Sequence, residues 1–414
     1  MATTNKANAS KSSHIDPKKL KAVNKAIEAI NSKLEKRHEE PAVTLYGADT
    51  NANIDVIHEP TGSIALDYIT GGGLARGRVH EFYGPEGSGK TSVALQAVAQ
   101  IQRKGGVAAF IDVEHALNPQ QATKLGVDMS SLILSQPSYG EQALDIMIAL
   151  IESNVVDIII LDSVAALVPK AELDGDIADR QIGPAAAMMS KALRIMIAAA
   201  SKNGTIVVFI NQVRDAIGSY GSPEVTPGGK ALKFYCSVRV RISKGQAITD
   251  SKTKQAIGQK VFLRCKKNKV GRPFLNAETE FYFNSGMDAA YDIAAYGTSP
   301  AIGVIKKSGR NYIGLDGQPL MWNGQPITKK ETLAQALHSK KSGLLEMFYQ
   351  PTVEAMQRSL QEALDGEPDE DDEEDAEDVD QLMDALDGTP DTIEEEETED
   401  AQEFEETEED DTED

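Results

Sequence analysis

The chain has 414 residues, of which 41% are hydrophobic and 26% are charged, enough for two or three structural units with a sizeable core. No apolar run approaches the roughly 18 residues of a membrane span, and the polar N-terminus lacks the apolar core of a secretion signal, so we expect a cytoplasmic protein with no membrane partner. The formal charge of −23 is concentrated in residues 367–414, which hold 29 acidic and no basic residues, while the first 366 residues carry +6 and remain compatible with nucleic-acid binding.

The first predicted element is an amphipathic helix within residues 16–53. Asp16 and Pro17 form a helix-start signal. Apolar residues recur at helical spacing at Leu20, Val23, Ile27, Ile30 and Leu34. Residues 1–15 are polar and predicted to be disordered, and residues 39–53 have the composition of a linker. The apolar stripe must therefore pack against the body of the chain or against another chain, and the pattern does not distinguish these alternatives.

Residues 54–285 alternate between predicted strands and helices. The strands cover residues 79–83, 107–112, 156–162 and 205–211, and the helices cover residues 91–103, 142–153 and 184–202. Strands that are apolar throughout and separated by helices indicate a mostly parallel sheet with helices on both faces. Three alternating segments then predict an antiparallel extension, at residues 237–243, 260–266 and 279–283. The region is therefore predicted to be an α/β core domain.

Two further regions complete the predicted organisation. Residues 286–366 should form a small α+β C-terminal domain, with a helix, a hairpin near residues 307–315 and further helices. Residues 367–414 contain too few apolar residues to build a core, so this acidic tail is predicted to be disordered. Cys236 and Cys265 are the only cysteines and lie far apart, which excludes a disulfide framework and a cysteine-based zinc site.

A glycine-rich phosphate-binding loop is the strongest motif in the chain. It follows a predicted strand, precedes a predicted helix, and consists of Gly84, Pro85, Glu86, Gly87, Ser88, Gly89, Lys90 and Thr91. Its backbone N–H groups and the N-terminus of the helix suit phosphate. Lys90 can neutralise the β- and γ-phosphates, and the Thr91 hydroxyl can bind Mg²⁺. An accidental glycine turn would lack this context, so the motif predicts binding of a nucleoside triphosphate with Mg²⁺.

Three polar residues at strand ends complete the predicted site. Asp162 ends an apolar strand and is placed to orient the magnesium ion, although an Asp at a strand end can also be only a turn former. Glu114 follows the neighbouring strand and is a candidate general base, the alternative being a solvated loop acid. Gln212 follows the strand at residues 205–211 and could sense the γ-phosphate through its neutral amide.

Several segments closely resemble the bacterial RecA recombinase family, and they occur in the family's order. They are EFYGPEGSGKT (81–91), FIDVEHAL (110–117), LDSVAALVPKAE (161–172), FINQVR (209–214), GGKALKFY (228–235) and KNK (267–269). The resemblance implies a RecA-type P-loop ATPase core preceded by a polymerisation helix that docks on the neighbouring subunit. It also implies an ATP- and Mg²⁺-using, DNA-dependent ATPase that forms helical filaments on single-stranded DNA. Such filaments pair with homologous duplex DNA in recombination and repair.

The resemblance also assigns roles in ATP hydrolysis. Glu114 matches the family's water-activating glutamate, and Gln212 matches its nucleotide sensor, beside the loop lysine Lys90. Lys267 and Lys269 match lysines that reach the triphosphate bound by the adjacent subunit. Without the resemblance these two lysines would be interpreted as a solvated basic turn.

Two segments match the family's DNA-binding loops, namely residues 175–183 and 213–228. Both are punctuated by glycine and rich in small residues, which is typical of mobile binding loops. Residues at DNA-contact positions of the family are Ile182, Arg194, Arg214, Ile217, Gly228 and Gly229. The chain departs from the family at two positions near the predicted base site. Gln121 replaces a tyrosine that stacks on adenine, and Asn118 replaces an aspartate.

Two other functions are compatible with the same fold class. A ring-forming helicase-type motor would share the phosphate-binding loop, but the N-terminal helix and the two DNA-binding loops favour a filament. A protein that coats single-stranded DNA and uses ATP only as a switch would not need Glu114. We therefore favour the recombinase, which recognises DNA backbone and shape rather than base sequence.

Overall fold

The computed structural model describes residues 16–37, 43, 45, 56–175, 183–215, 224–300, 302–339 and 341–365. The chain divides into two compact units, residues 1–57 and residues 58–414. The segments predicted to be disordered, residues 1–15 and the acidic tail 367–414, lie outside the described residues. No helix in the described part of the chain is long and apolar enough to cross a membrane.

The first unit contains the predicted amphipathic helix α1 (Pro17–Glu35). The Asp16 carboxylate accepts a hydrogen bond of 2.7 Å from the backbone N–H of Lys18, so this residue caps the helix as the sequence predicts. Part of the apolar stripe is open to solvent, because Val23 and Ile30 are exposed by 36% and 44%. The helix therefore retains an apolar surface that can pack against a further partner.

The second unit alternates strands and helices in its first half, as predicted. Its elements are β1 (His58–Glu59), α2 (Ile64–Thr70), β2 (Leu74–Ala75), β3 (Val79–Gly84), α3 (Lys90–Arg103), β4 (Ala108–Asp112), α4 (Pro119–Lys124), β5 (Leu132–Ser135), α5 (Gly140–Glu152) and β6 (Ile158–Asp162). A 3₁₀ turn at Val164–Ala166 follows. The next elements are α6 (Lys170–Asp174), α7 (Pro184–Asn203), β7 (Ile206–Gln212), β8 (Arg214–Asp215), β9 (Glu224–Val225) and α8 (Lys230–Tyr235).

The second half contains long strands and then mostly helices. Its elements are β10 (Val238–Thr249), β11 (Ala256–Asn268), β12 (Asn276–Tyr282), β13 (Gly286–Met287), α9 (Ala289–Tyr296), β14 (Lys306–Ser308), β15 (Asn311–Ile313), β16 (Met321–Trp322), β17 (Gln325–Pro326), α10 (Lys330–His338) and α11 (Leu344–Asp365). The predicted hairpin near residues 307–315 is confirmed, since β14 and β15 pair antiparallel. The division between a core domain and a C-terminal domain stays a prediction.

One sheet of nine strands organises the second unit, in the order β13-β12-β11-β10-β3-β7-β6-β4-β5. The six strands from β10 to β5 are parallel, which confirms the predicted α/β class. The predicted antiparallel extension is confirmed, since β10, β11 and β12 pair antiparallel in that order. Its first strand, β10, is also parallel to β3 and so joins the extension to the parallel core. The short helix α8 returns the chain to the end of the sheet where β3 begins, so β10 runs the same way as β3.

Helices cover both faces of the sheet, and each face has its own apolar core. Neighbouring residues of β4 point to opposite faces, so that Phe110 packs in the core beneath α3 and Ile111 packs in the core beneath α5 and α7. A third core joins α9, α10 and α11 with the small hairpins. Cys236 and Cys265 are both buried.

Two buried carboxyl groups, Asp67 and Asp292, lie where α2 meets α9. Asp67 accepts hydrogen bonds from the backbone N–H and the hydroxyl of Thr61, at 2.9 and 2.7 Å. Asp292 accepts hydrogen bonds from the N–H of Ala65 at 3.0 Å and the hydroxyl of Thr279 at 2.7 Å. Burial raises the pKa of Asp67 to about 8 and the pKa of Asp292 to about 7. Folding therefore favours the protonated form of these groups.

We expect Asp67→Asn to stabilise the protein at alkaline pH and to have little effect near pH 4. A raised folded-state pKa contributes stability that is fully present below the ordinary value of 3.8 and is lost as the pH rises through about 8. The advantage of the variant should therefore grow by up to about 1 kcal/mol per pH unit in this window. Denaturant unfolding across the window measures it, with the exposed Asp145→Asn as control. Parallel stability curves for Asp67→Asn and the parent protein would contradict the prediction.

Candidate functional site

The glycine-rich loop lies between β3 and α3, at the carboxyl end of the parallel strands. The backbone of β10 passes so close that a Cβ atom at Gly84 would lie 2.0 Å from the carbonyl oxygen of Ile242, so only glycine fits there. Five loop residues line a cavity of about 320 Å³, namely Glu86, Gly87, Gly89, Lys90 and Thr91. The other three loop residues, Gly84, Pro85 and Ser88, do not line the cavity, and Ser88 is fully buried.

Lys90 is a buried cation at the floor of this cavity. Its Nζ donates hydrogen bonds to the carbonyl oxygens of Gly84 at 2.9 Å and Pro85 at 2.7 Å. Burial lowers the pKa of the ammonium group, while Asp162, Glu114 and Glu86 oppose that shift. The Lys90 ammonium group therefore lies against the loop backbone, near three carboxylates. Phosphate oxygens could replace the carbonyl oxygens of Gly84 and Pro85 as its hydrogen-bond acceptors.

Thr91 and Asp162 form the candidate magnesium site. The Thr91 hydroxyl donates a 2.6 Å hydrogen bond to Oδ2 of Asp162, which brings together a strand end and the first turn of α3. Burial raises the pKa of Asp162 to about 6. A hydroxyl and a carboxylate are hard oxygen donors that fit Mg²⁺. In the described part of the chain, no cluster of three or more His, Cys, Asp or Glu side chains could hold a metal ion. A cation here would depend on phosphate and water for its other ligands.

Glu114 and Gln212 meet in the same cavity, as the sequence predicts. Oε1 of Glu114 accepts a 3.2 Å hydrogen bond from Nε2 of Gln212 and a short hydrogen bond from the hydroxyl of Ser163. Ser163 also lines the cavity, directly after Asp162. Ser163 was not predicted from the sequence, although its place directly after the strand-end carboxylate Asp162 was an available signal. The two donors fix the orientation of the candidate general base.

Asp112 holds the segment that carries Glu114. Its two carboxylate oxygens accept hydrogen bonds from the N–H groups of Ala116 at 3.0 Å and Leu117 at 3.2 Å, and from the side chain of Gln136 at 3.0 Å. The carboxylate therefore folds residues 113–117 back over the strand end. Asp112, the other acid of the segment FIDVEHAL (110–117), thus has a local structural role.

The opposite wall of the cavity comes from the antiparallel strands, and sequence reasoning did not assign it. Gln259 of β11 donates a 2.9 Å hydrogen bond to the carbonyl oxygen of Gly87, and Phe281 and Phe283 supply aromatic surface. At the position where the sequence departs from the family, the Gln121 amide donates a 2.6 Å hydrogen bond to the carbonyl oxygen of Phe283.

Asn118 is explained by its local structure. Its side-chain oxygen accepts hydrogen bonds from the N–H groups of Gln120 at 3.0 Å and Gln121 at 3.1 Å, so it caps α4. Asparagine and aspartate cap helices about equally well, so this departure preserves the fold of the segment.

The structure places Lys267 and Lys269 away from the cavity of their own chain. Nζ of Lys267 donates hydrogen bonds to the carbonyl oxygens of Lys233 at 2.6 Å and Phe234 at 3.0 Å, and Nζ of Lys269 contacts the carbonyl oxygen of Phe234 at 3.3 Å. Both lysines thus cap the C-terminus of α8. In the sheet, Lys267 of β11 stands opposite Arg239 of β10, and Arg239 stands next to Glu81 of β3. Glu81 lies three residues before the end of β3, where the glycine-rich loop begins.

The residues predicted to contact DNA are only partly described. Arg194 is exposed on α7 and borders a groove that also contains Phe234 and Lys269. The backbone of Arg214 pairs with Val225, and Ile182 and Ile217 lie outside the described residues.

Gly228 and Gly229 stand where the second predicted loop joins α8. Gly228 has a φ of +90°, and a Cβ atom there would lie 2.8 Å from Cγ1 of Val164. At Gly229, a Cβ atom would lie 2.9 Å from Cβ of Ala186. The end of the loop therefore packs tightly against the 3₁₀ turn and the start of α7, and side chains at these positions would displace it.

Comparison with known proteins identifies the family of the chain. Residues 21–288 match the model of the RecA N-terminal domain. The chain belongs to the RecA family. It is similar to Protein RecA of Thermus thermophilus, with 49% identity over 71% of this chain and 85% of that protein. Protein RecA of Mycobacterium ulcerans is 50% identical over 69% of this chain and 81% of that protein. Protein RecA of Chlorobium limicola is 45% identical over 77% of this chain and 89% of that protein.

The region that matches the RecA N-terminal domain contains every residue of the candidate cavity, from Glu86 to Phe283. It also contains Lys267, Lys269 and the two segments predicted to bind DNA. Residues 289–414 lie beyond this match. The RecA family assignment therefore rests on the part of the chain where the cavity lies, and not on the acidic tail.

Proposed function

We propose that this RecA-family protein is a DNA-dependent ATPase that forms helical filaments on single-stranded DNA and catalyses pairing and strand exchange with homologous duplex DNA. One observation carries the proposal. A buried lysine, a hydroxyl–carboxylate pair and an oriented glutamate meet in one cavity, as Lys90, Thr91 with Asp162, and Glu114. This set can bind a triphosphate and direct water at it.

The polar residues of the cavity divide the tasks of hydrolysis among them. Lys90 binds the phosphates, and Thr91 and Asp162 would hold Mg²⁺, which neutralises phosphate charge when bound. Glu114 accepts a proton from the attacking water, and Ser163 and Gln212 keep its carboxylate pointing into the cavity.

Polymerisation supplies the remaining parts of the proposed site. The apolar stripe of α1 packs on the neighbouring subunit, and Lys267 and Lys269 reach that neighbour's triphosphate. Their position on the far side of β10 from their own loop supports action between subunits. We further propose that the protein acts in the cytoplasm, with residues 54–285 as the ATPase core domain and residues 286–366 as a small domain.

The proposal is tested by phosphate release from ATP with and without single-stranded DNA. We expect slow release without DNA and strong stimulation by DNA, with filaments visible by electron microscopy. Equal rates with and without DNA would contradict the proposal. Filaments without any phosphate release would favour the protein that only coats DNA, and closed rings would favour a helicase-type motor.

We expect Lys267→Ala with Lys269→Ala to spare ATP binding by isolated subunits and to remove DNA-stimulated hydrolysis. Mixing this variant with Lys90→Ala should restore part of the activity, because each variant supplies the group that the other lacks. Phosphate release at several mixing ratios measures the effect. Lys252→Ala with Lys254→Ala, in the exposed β10–β11 turn, reports the effect of losing two charges alone. Absence of rescue at every ratio would contradict a site shared between subunits.

A further inference from the structure

Asn211 is a fully buried side chain near the end of β7, and it makes hydrogen bonds with the next residue of its own strand, with β3 and with the segment before α8. Its Nδ2 donates to Oε1 of Glu81 at 2.9 Å and to the carbonyl oxygen of Pro227 at 3.0 Å. Its Oδ1 accepts from the N–H of Gln212 at 3.0 Å. Both amide hydrogens and the amide oxygen are therefore used.

The contact with Glu81 fixes the orientation of the Asn211 amide. Glu81 is fully buried in β3, and its other carboxylate oxygen accepts a short hydrogen bond from Nε of Arg239. The Arg239 guanidinium lies 4.5 Å from the centre of the Tyr83 ring, which holds it in place. An ionised carboxylate only accepts hydrogen bonds, so Nδ2 must face Glu81 and Oδ1 must face Gln212.

The two other partners of Asn211 belong to segments with different predicted roles. Gln212 donates through its side chain to Glu114 in the nucleotide cavity. Pro227 directly precedes Gly228, where the second predicted DNA-binding segment packs against Val164. The Asn211 amide thus connects Gln212, the predicted nucleotide sensor, with Pro227 at the end of the DNA-binding segment. Its hydrogen bond to the buried Glu81 anchors it in the sheet.

We propose that Asn211 is a positioning residue that couples nucleotide binding to the conformation of residues 226–229, an inference that rests on the proposed function. A shift of Gln212 on nucleotide binding moves its backbone N–H, and Oδ1 of Asn211 follows. Because the planar amide is anchored at Glu81 through Nδ2, it pivots there, and the hydrogen bond from Nδ2 to Pro227 changes. Coupling of this kind is reciprocal, so DNA bound at the segment must also change the affinity for nucleotide.

The test measures the affinity for single-stranded DNA with and without a non-hydrolysable ATP analogue. We expect the analogue to tighten DNA binding by the parent protein, and Asn211→Ala to reduce this tightening by about tenfold. Asn211→Asp should also reduce this tightening, because it keeps an acceptor for the N–H of Gln212 and loses both donors. In both variants the analogue should still bind. Asn203→Ala, which loses a 2.8 Å hydrogen bond from the end of α7 to the carbonyl oxygen of Ile151 in α5, should keep the tightening.

A second measurement includes an arm on the parent protein, which does not depend on whether the variants fold. Hydrogen exchange in the parent protein should slow at the backbone amides of Thr226, Gly228 and Gly229 when the analogue binds, without DNA, and this change should be absent in Asn211→Asp. Tightening by the analogue that persists in both variants, or exchange at residues 226–229 that ignores the analogue in the parent, would overturn the coupling alone. A parent protein whose DNA binding does not respond to the analogue would overturn both the coupling and the proposed function.

Discussion

Lys90→Ala is expected to abolish binding of nucleoside triphosphates. Lys90 is the only Lys or Arg among the described residues that line the cavity, and it lies among the carboxylates of Glu86, Glu114 and Asp162. Without it, the phosphates would meet these carboxylates with no side-chain cation among the described residues of the cavity to offset them. Removing one partner of a buried, hydrogen-bonded charge pair costs several kcal/mol, so we expect a loss of at least about 100-fold in affinity.

Titration with a fluorescent ATP analogue measures this loss. Lys124→Ala, at the exposed end of α4, removes a positive charge outside the cavity and should leave the affinity close to that of the parent protein. Thermal unfolding of both variants tests whether the fold is kept. An unchanged affinity in Lys90→Ala would show that the phosphates bind elsewhere.

Glu114→Gln is expected to keep nucleotide binding and to lose turnover by about 10² to 10⁴-fold. The amide retains an oxygen that can accept from Ser163 and Gln212, so the shape of the cavity should be preserved. It cannot accept the proton of the attacking water at neutral pH. Filaments formed with ATP should therefore last much longer than those of the parent protein.

Single-turnover phosphate release, together with the nucleotide affinity, separates the chemical step from binding. Glu152→Gln, at the exposed end of α5, is a matched control that should turn over normally. Turnover of Glu114→Gln close to that of the parent protein would remove Glu114 from the role of general base.

The parts of the fold that depend on local sequence could be predicted. The strands β4, β6 and β7 are apolar until their last one or two residues, so they were identified from the pattern. β3 contains His80 and Glu81, and it was identified as the strand that enters the glycine-rich loop. The edge strand β5 was missed because it is short and only partly buried. The parallel pairing of β10 with β3 depends on where a six-residue helix returns the chain, which hydrophobic periodicity does not report.

The candidate site divides in the same way. The phosphate-binding loop and the strand-end carboxylates could be predicted because strand order and motif bring them together. Ser163, Asn211 and Gln259 act through contacts with residues tens of positions away, such as the 2.9 Å hydrogen bond between Asn211 and Glu81. No local pattern encodes such pairs. The contacts of Lys267 with the end of α8 were likewise beyond reach of the sequence.

The burial of both cysteines has a practical consequence. Cys236 and Cys265 are exposed by 0% and 1%, and burial raises the pKa of both thiols, that of Cys265 to about 12. The thiolate is the form that reacts with maleimides, so the folded protein should be nearly inert to them. A single cysteine placed at Ser251, in the exposed turn between β10 and β11, would then carry a fluorophore alone. Assembly could be followed by energy transfer between subunits without replacing either native cysteine.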